Sequence, residues 1–216
     1  MADVCDKGVG AAMYMAIFRS LFRAYSDQQY IMRWAGTPKE SRDETPTGMF
    51  RRDAILASGA PSLKNAIDLT NNYIATHHGN SNMFATVFFG LLDPANGELL
   101  YINAGHESAF VISRDQLKKR LEPTGPAVGM LPNMEFKIGQ VTFLPGDSLL
   151  LYTDGVIDAR GPAEDRFTEQ RLLEAATSPA PSAQARIQNI MDALDEHIAG
   201  REQYDDVTLL AVKRKE

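Results

Sequence analysis

The hydrophobic period of this chain first changes at about Met83, and that change limits the folds open to it. Before it, Ala12, Met15, Ile17, Phe18, Leu21 and Phe22 recur at near-helical spacing. A long, largely buried helix is predicted over Ala11 to Tyr25, fed by a Gly-bearing loop from Asp3 to Gly10. Ser62 is read as the N-cap of a second helix reaching about Thr76, with Leu63, Ala66, Ile67, Leu69 and Ile74 on its apolar face. Between them the pattern breaks up, and residues 26–60 are expected to be a mobile connection whose most turn-like stretch is Asp43 to Gly48, with Gln29 to Trp34 able to carry a further helical turn. From Met83 to Leu92 the chain is rich in Phe, Val and Thr; it turns through Asp93-Pro94-Ala95-Asn96-Gly97 and returns over Glu98 to Asn103, a β-hairpin signature. Further strands are predicted at Ala109–Ser113, Phe136–Phe143 and Asp147–Thr153, the last two joined by a tight turn at Pro145-Gly146-Asp147. Helical spacing resumes over Thr168–Ala176 and Ser182–Ala199, and Asp206–Lys213 alternates as a closing strand. Helices segregated from hairpins imply an α+β layered domain with antiparallel sheets, not a doubly wound parallel sheet.

Composition removes several function classes. The 216 residues suit one domain able to bury its own core. The single cysteine, Cys5, permits neither an intramolecular disulfide nor a Cys-based zinc cluster, as suits a reducing compartment. The net charge of −6 disfavours a nonspecific grip on nucleic acid, which needs clustered Lys and Arg. Apolar runs such as Met83–Leu92 extend about ten residues, short of the roughly 20 that span a bilayer. With no secretion signal at its start, the chain is expected to be soluble and cytoplasmic, with no membrane partner.

Three acids occupy the same kind of position. Asp3 lies in the N-terminal loop, Asp154 follows the apolar run Ser148–Tyr152, and Asp205 precedes the apolar run Val207–Val212. A carboxylate at a strand terminus is held rigidly with its oxygens toward solvent, which suits hard cations such as Mg²⁺ or Mn²⁺. Taken singly, each of these residues reads first as a turn former, because Asp bonds its own backbone and Gly accepts positive φ.

The motifs Asp3-Val4-Cys5-Asp6-Lys7-Gly8-Val9-Gly10, Met83-Phe84-Ala85-Thr86, Asn103-Ala104-Gly105-His106, Pro145-Gly146-Asp147, Tyr152-Thr153-Asp154-Gly155-Val156 and Asp205-Asp206-Val207-Thr208 together resemble the SpoIIE/RsbU branch of the metal-dependent (type 2C) protein serine/threonine phosphatases. The resemblance covers nearly the whole chain. It implies two antiparallel sheets packed as a sandwich flanked by helices, with a two-metal Mn²⁺ or Mg²⁺ site. By motif match Asp3 bridges the metals, the Val4 carbonyl serves one, and Asp154 and Asp205 hold the other, with Gly155 permitting close approach. Asp158 is a candidate for a weaker third cation or a local ion pair. His106 is a candidate general acid or a plain turn residue, and Lys7 a candidate phosphate attractor or a solvated charge. The family carries a further acidic ligand in strands ahead of the Asp-Val motif, so a truncated domain with impaired ion binding is expected here.

The resemblance thus implies phosphoserine or phosphothreonine hydrolysis on a bacterial regulatory protein of the anti-anti-sigma type, in a partner-switching pathway. An upstream sensory or receiver domain fits that role, and the helix after Gly8 is a candidate dimer surface. The alternative is a noncatalytic pseudophosphatase that binds the same partner as a scaffold.

Overall fold

The structure is a computed structural model that describes residues 1–36, 52–79 and 83–215. The elements run β1 (Ala2–Val4), α1 (Val9–Gly36), α2 (Arg52–His78), β2 (Ala85–Asp93), β3 (Glu98–Ala104), β4 (Ala109–Ser113) and β5 (Gln116–Leu121). They continue with β6 (Gly139–Thr142), β7 (Ser148–Tyr152), α3 (Asp154–Ile157), α4 (Thr168–Ala176), α5 (Ala183–Ile198) and β8 (Leu209–Lys213). The fold is α+β, with two antiparallel sheets and helices. Among the described residues no helix is long and apolar enough to cross a membrane.

Contacts divide the chain into two compact units. The first spans residues 2–105 and 124–141 and carries the sheet β1-β2-β3-β6. Its backbone is the β2–β3 hairpin, where Asp93 accepts from the amides of Ala95 (2.9 Å) and Gly97 (2.8 Å) and Gly97 adopts φ +79°. That is the turn predicted from Asp93-Pro94-Ala95-Asn96-Gly97. Its core joins Phe18, Leu63, Ile67 and Ile74 of the helices to Val87 and Ile102 of the sheet. Leu69, expected on that apolar face, is exposed, and Thr70 and Asn71 are buried beside it. Asn71 holds its place by accepting from the Gly129 amide (2.9 Å) and donating to the Leu131 carbonyl (2.9 Å).

The helices of this unit overrun the sequence boundaries. Helix α1 continues past Tyr25 to Gly36, and α2 begins at Arg52 with Pro61 inside it, so Ser62 lies within the helix and not at its N-cap. The connection expected over 26–60 is therefore helical at both ends; residues 37–51 lie outside the described residues. An interior proline removes one backbone hydrogen bond and crowds the preceding turn, at about 3 kcal/mol, a cost opposed here by the burial of Leu63, Ile67 and Ile74.

The second unit spans Met1, residues 106–123 and 142–216, and carries the sheet β5-β4-β7-β8. Strand β7 is central and buried along its whole length. Its core gathers Phe110, Leu150 and Tyr152 of the sheet and Phe167, just ahead of α4, against Val156, Leu172, Ile190 and Leu194 of the helices. The strand expected over Phe136–Phe143 shortens to β6, and the turn at Pro145-Gly146-Asp147 links strands of different sheets rather than a hairpin within one. Strand β5 was not expected: its Gln-Leu-Lys-Lys-Arg-Leu sequence is polar, and the preceding turn uses Arg114 (φ +49°) and Asp115 (φ +58°) where glycine or asparagine is the usual signal.

Candidate metal centre

Strand β7 delivers Asp154 to the first position of α3, directly after Thr153. The apolar strand is fixed between β4 and β8, so its C-terminal end is rigid while Asp154 itself is exposed. Thr153 is the fastener for the second acidic segment. Its amide donates to the Thr208 carbonyl (3.1 Å), its hydroxyl donates to the Asp206 carbonyl (3.0 Å), and the Thr208 amide donates back to that hydroxyl (3.0 Å). These bonds continue the β7–β8 ladder, in which Tyr152 faces Leu209, and carry the 205–208 segment alongside the start of α3.

Gly155 completes the approach. A Cβ there would lie 2.3 Å from the Asp206 carbonyl oxygen and 3.2 Å from the Asp205 carbonyl carbon. Any side chain would push the two segments apart. Asp154 and Asp205, distant in sequence, are thereby brought onto adjoining backbone. Asp205 is half-buried, and one of its carboxylate oxygens accepts from the Asp206 amide (2.8 Å).

The surroundings are acidic. Burial first, then the charges of Asp154, Glu169 and Asp158, holds the Glu107 carboxyl above the usual range. Glu169 pairs with Arg120 and accepts from the Tyr152 hydroxyl (3.3 Å), whose own pKa is raised by burial and by the Glu169 charge. Asp158 forms an ion pair with Arg166 at 2.9 Å. The donors on offer are hard carboxylate oxygens in a negative field, so Asp154 and Asp205 fit Mg²⁺ or Mn²⁺ and not a soft metal. Among the described residues no three His, Cys, Asp or Glu side chains are gathered closely enough to form a complete ligand set.

His106 is buried, and that burial lowers its pKa to about 4. At neutral pH its ring is uncharged and holds no imidazolium proton to give. Gly105 before it adopts φ +69°, and a Cβ there would lie 2.8 Å from the Ala127 amide nitrogen, so the Asn-Ala-Gly-His motif forms a close-packed turn.

Asp3, Val4 and Lys7 belong to the other unit. Asp3 sits opposite Thr86 in the β1–β2 register, and Val4 turns its side chain into that unit's core. The Lys7 amide donates to Asp6 (2.8 Å) in a loop where Asp6 and Gly8 both have positive φ. Thr153 and Glu107 drew no attention as individual residues in the sequence. Thr153 lies inside the Tyr-Thr-Asp-Gly motif and Glu107 directly follows the Asn-Ala-Gly-His motif; that adjacency was the available signal.

Comparison with known proteins bears on the chain as a whole. The family described as "Stage II sporulation protein E (SpoIIE)" matches residues 1–215. Protein IcfG of Synechocystis is 44% identical over 214 residues, covering 99% of this chain and 33% of that protein. The phosphoserine phosphatase RsbU of Bacillus subtilis is 30% identical over 220 residues, covering 100% of this chain and 55% of that protein. The chain thus spans only part of each relative's length. Among solved structures, the PP2C phosphatase domain of Bacillus subtilis SpoIIE with a fragment of its regulatory domain matches at a TM-score of 0.69 and 14% identity, over 99% of this chain and 52% of that one. At that identity the likeness shows a shared fold.

Proposed function

Because the chain belongs to the SpoIIE family, we propose that it is a metal-dependent protein serine/threonine phosphatase domain. Its substrate in this reading is phosphoserine or phosphothreonine on a regulatory protein of the anti-anti-sigma type. The observation that carries the reading is the Thr153–Gly155 clasp, which holds the Asp154 and Asp205 segments on adjoining backbone. Asp154 and Asp205 are the proposed ligands of one ion; Asp3 and the Val4 carbonyl enter the proposal through their motif. Bound Mn²⁺ or Mg²⁺ supplies Lewis acidity that makes water a nucleophile near neutral pH and offsets charge on the phosphoryl oxygens. The chain's own part is to hold its carboxylates still. Thr153 fixes the backbone beside both acids, and Gly155 keeps the gap between them narrow. Asp158, neutralised by Arg166, is a local ion pair in this reading, and the neutral His106 is a packing residue of its turn.

The test is phosphate release from a phosphorylated anti-anti-sigma-type protein, with and without Mn²⁺. Release should require the metal, and Asp154→Asn or Asp205→Asn should lower it about 100-fold or more, since each weakens the hold on an ion that is worth several kcal/mol of transition-state charge stabilisation. Thermal unfolding of each variant checks that the fold survives. Release by the Asp154→Asn protein equal to the parent overturns the proposal; tight partner binding with no release supports the noncatalytic scaffold instead.

A further inference from the structure

The opposite end of β7 opens into a second cleft, of about 730 Å³. Strand β7, five residues long, spans roughly 17 Å at about 3.3 Å per residue; Asp147 precedes it at this cleft and Asp154 lies just past its other end, so the two sites occupy opposite ends of one sheet. The cleft is lined by the β4–β5 turn, the turn before β7, the approach to α5 and the end of β8.

Its charges do not balance. Arg114, Lys118, Arg186 and Lys213 line it against two carboxylates, Asp115 and Asp147. Both carboxylates are already engaged. Asp147, 1% exposed, accepts from Lys118 at 2.6 Å and from the Leu144 amide at 2.9 Å. Asp115 accepts from Arg186 at 3.0 Å. Two cations are left without a counter-charge. Lys213 donates only to the neutral carbonyls of Ala180 (2.9 Å) and Pro181 (3.2 Å), and Arg114, exposed at the turn, has no carboxylate partner among the described residues.

Arg186 is the second, independent observation. It is 2% exposed, a rare state for a guanidinium, and its Nε–H has no acceptor among the described residues even though its other nitrogens bond Asp115 and the Ala176 carbonyl. It stands in the first turn of α5, which carries no acidic residue to oppose the positive end of the helix. All of this is set in a chain of net charge −6.

We propose that this cleft binds a small phosphomonoester dianion, with Arg114 and Lys213 meeting the phosphate. Pockets for small organic ligands occupy about 300 to 1,000 Å³, so this one has room for an organic group against Leu144, Pro145 and Ala180 as well as for the phosphate. The site is independent of the acidic one at the far end of the sheet.

The test is calorimetric titration in EDTA with adenosine monophosphate, inorganic phosphate and adenosine as probes. The parent protein should bind adenosine monophosphate saturably and adenosine not at all. The double variant Arg114→Asn, Lys213→Gln should weaken binding about tenfold or more, as expected for loss of charged hydrogen-bond donors; asparagine suits the left-handed backbone at 114. Asp154→Asn should leave binding unchanged. Inorganic phosphate bound as tightly as the nucleotide retains the dianion site but overturns the organic part of the proposal. Absence of saturation at 10 mM probe, binding indifferent to the double variant, or loss in Asp154→Asn overturns it altogether.

Discussion

Gly155 shows how one missing side chain shapes the candidate centre. In Gly155→Ala the new methyl group would meet the Asp206 carbonyl at 2.3 Å, and backbone cannot yield as a flexible side chain does. The variant is expected to lose about 1–3 kcal/mol of stability in urea unfolding, a usual range for overpacking. Its calorimetric Mn²⁺ affinity should fall with it, because the Asp154 and Asp205 segments must separate. From the sequence, Asp154-Gly155 after an apolar run reads as a turn at a strand end, and that reading cannot distinguish a glycine needed for its φ from one needed for its size. The family resemblance implied a close approach at Gly155, and the 205–206 backbone is what the chain approaches there. Asp158, open from the sequence to either a weaker cation or a local ion pair, has Arg166 turned onto it in the folded chain.

At the level of elements, local chemistry was legible where a residue acts on its own neighbours. Ser182 caps α5, its hydroxyl accepting from the Ala185 amide at 3.0 Å. Ser182→Ala should therefore destabilise the protein by about 1 kcal/mol in urea unfolding, and Ser182→Asp should retain most of that stability. The β2–β3 hairpin was equally readable, because Asp93 and Gly97 build the turn within a few residues. Strand β5 was not. Leu117 and Leu121 face the core while its charged residues face outward, and the register to β4 shifts at Val111/Ile112, so neither alternation nor turn composition announces it. Helix α2 passed unnoticed through Pro61 for a related reason: a local breaker signal is weaker than the burial of Leu63, Ile67 and Ile74 that holds the helix in place.

Across the whole molecule, stability should depend on pH through His106. Burial holds its folded pKa near 4, against an ordinary value of 6.5. The unfolded chain therefore binds a proton that the folded chain refuses, and the stabilising effect of a neutral His106 is complete above pH 6.5 and lost as pH falls toward 4. The loss should be on the order of 3 kcal/mol by pH 4, read from urea unfolding at a series of pH values, and His106→Gln should flatten that part of the profile. A profile unchanged by the substitution would place the acid sensitivity elsewhere. The sequence by itself determined the antiparallel α+β character, the hairpin at Asp93–Gly97, and membership of a family recognisable from six ordered motifs, because periodicity, turn chemistry and motif order are properties of neighbours along the chain. Only the tertiary structure decided that Thr153 and Gly155 hold Asp154 beside the 205–208 segment, that β6 and β7 part into different sheets, and that Arg114, Arg186 and Lys213 converge on one cleft. Those outcomes depend on which distant segments share a strand edge or a buried surface, and hydrogen-bonding and packing partners so far apart in sequence leave no local mark.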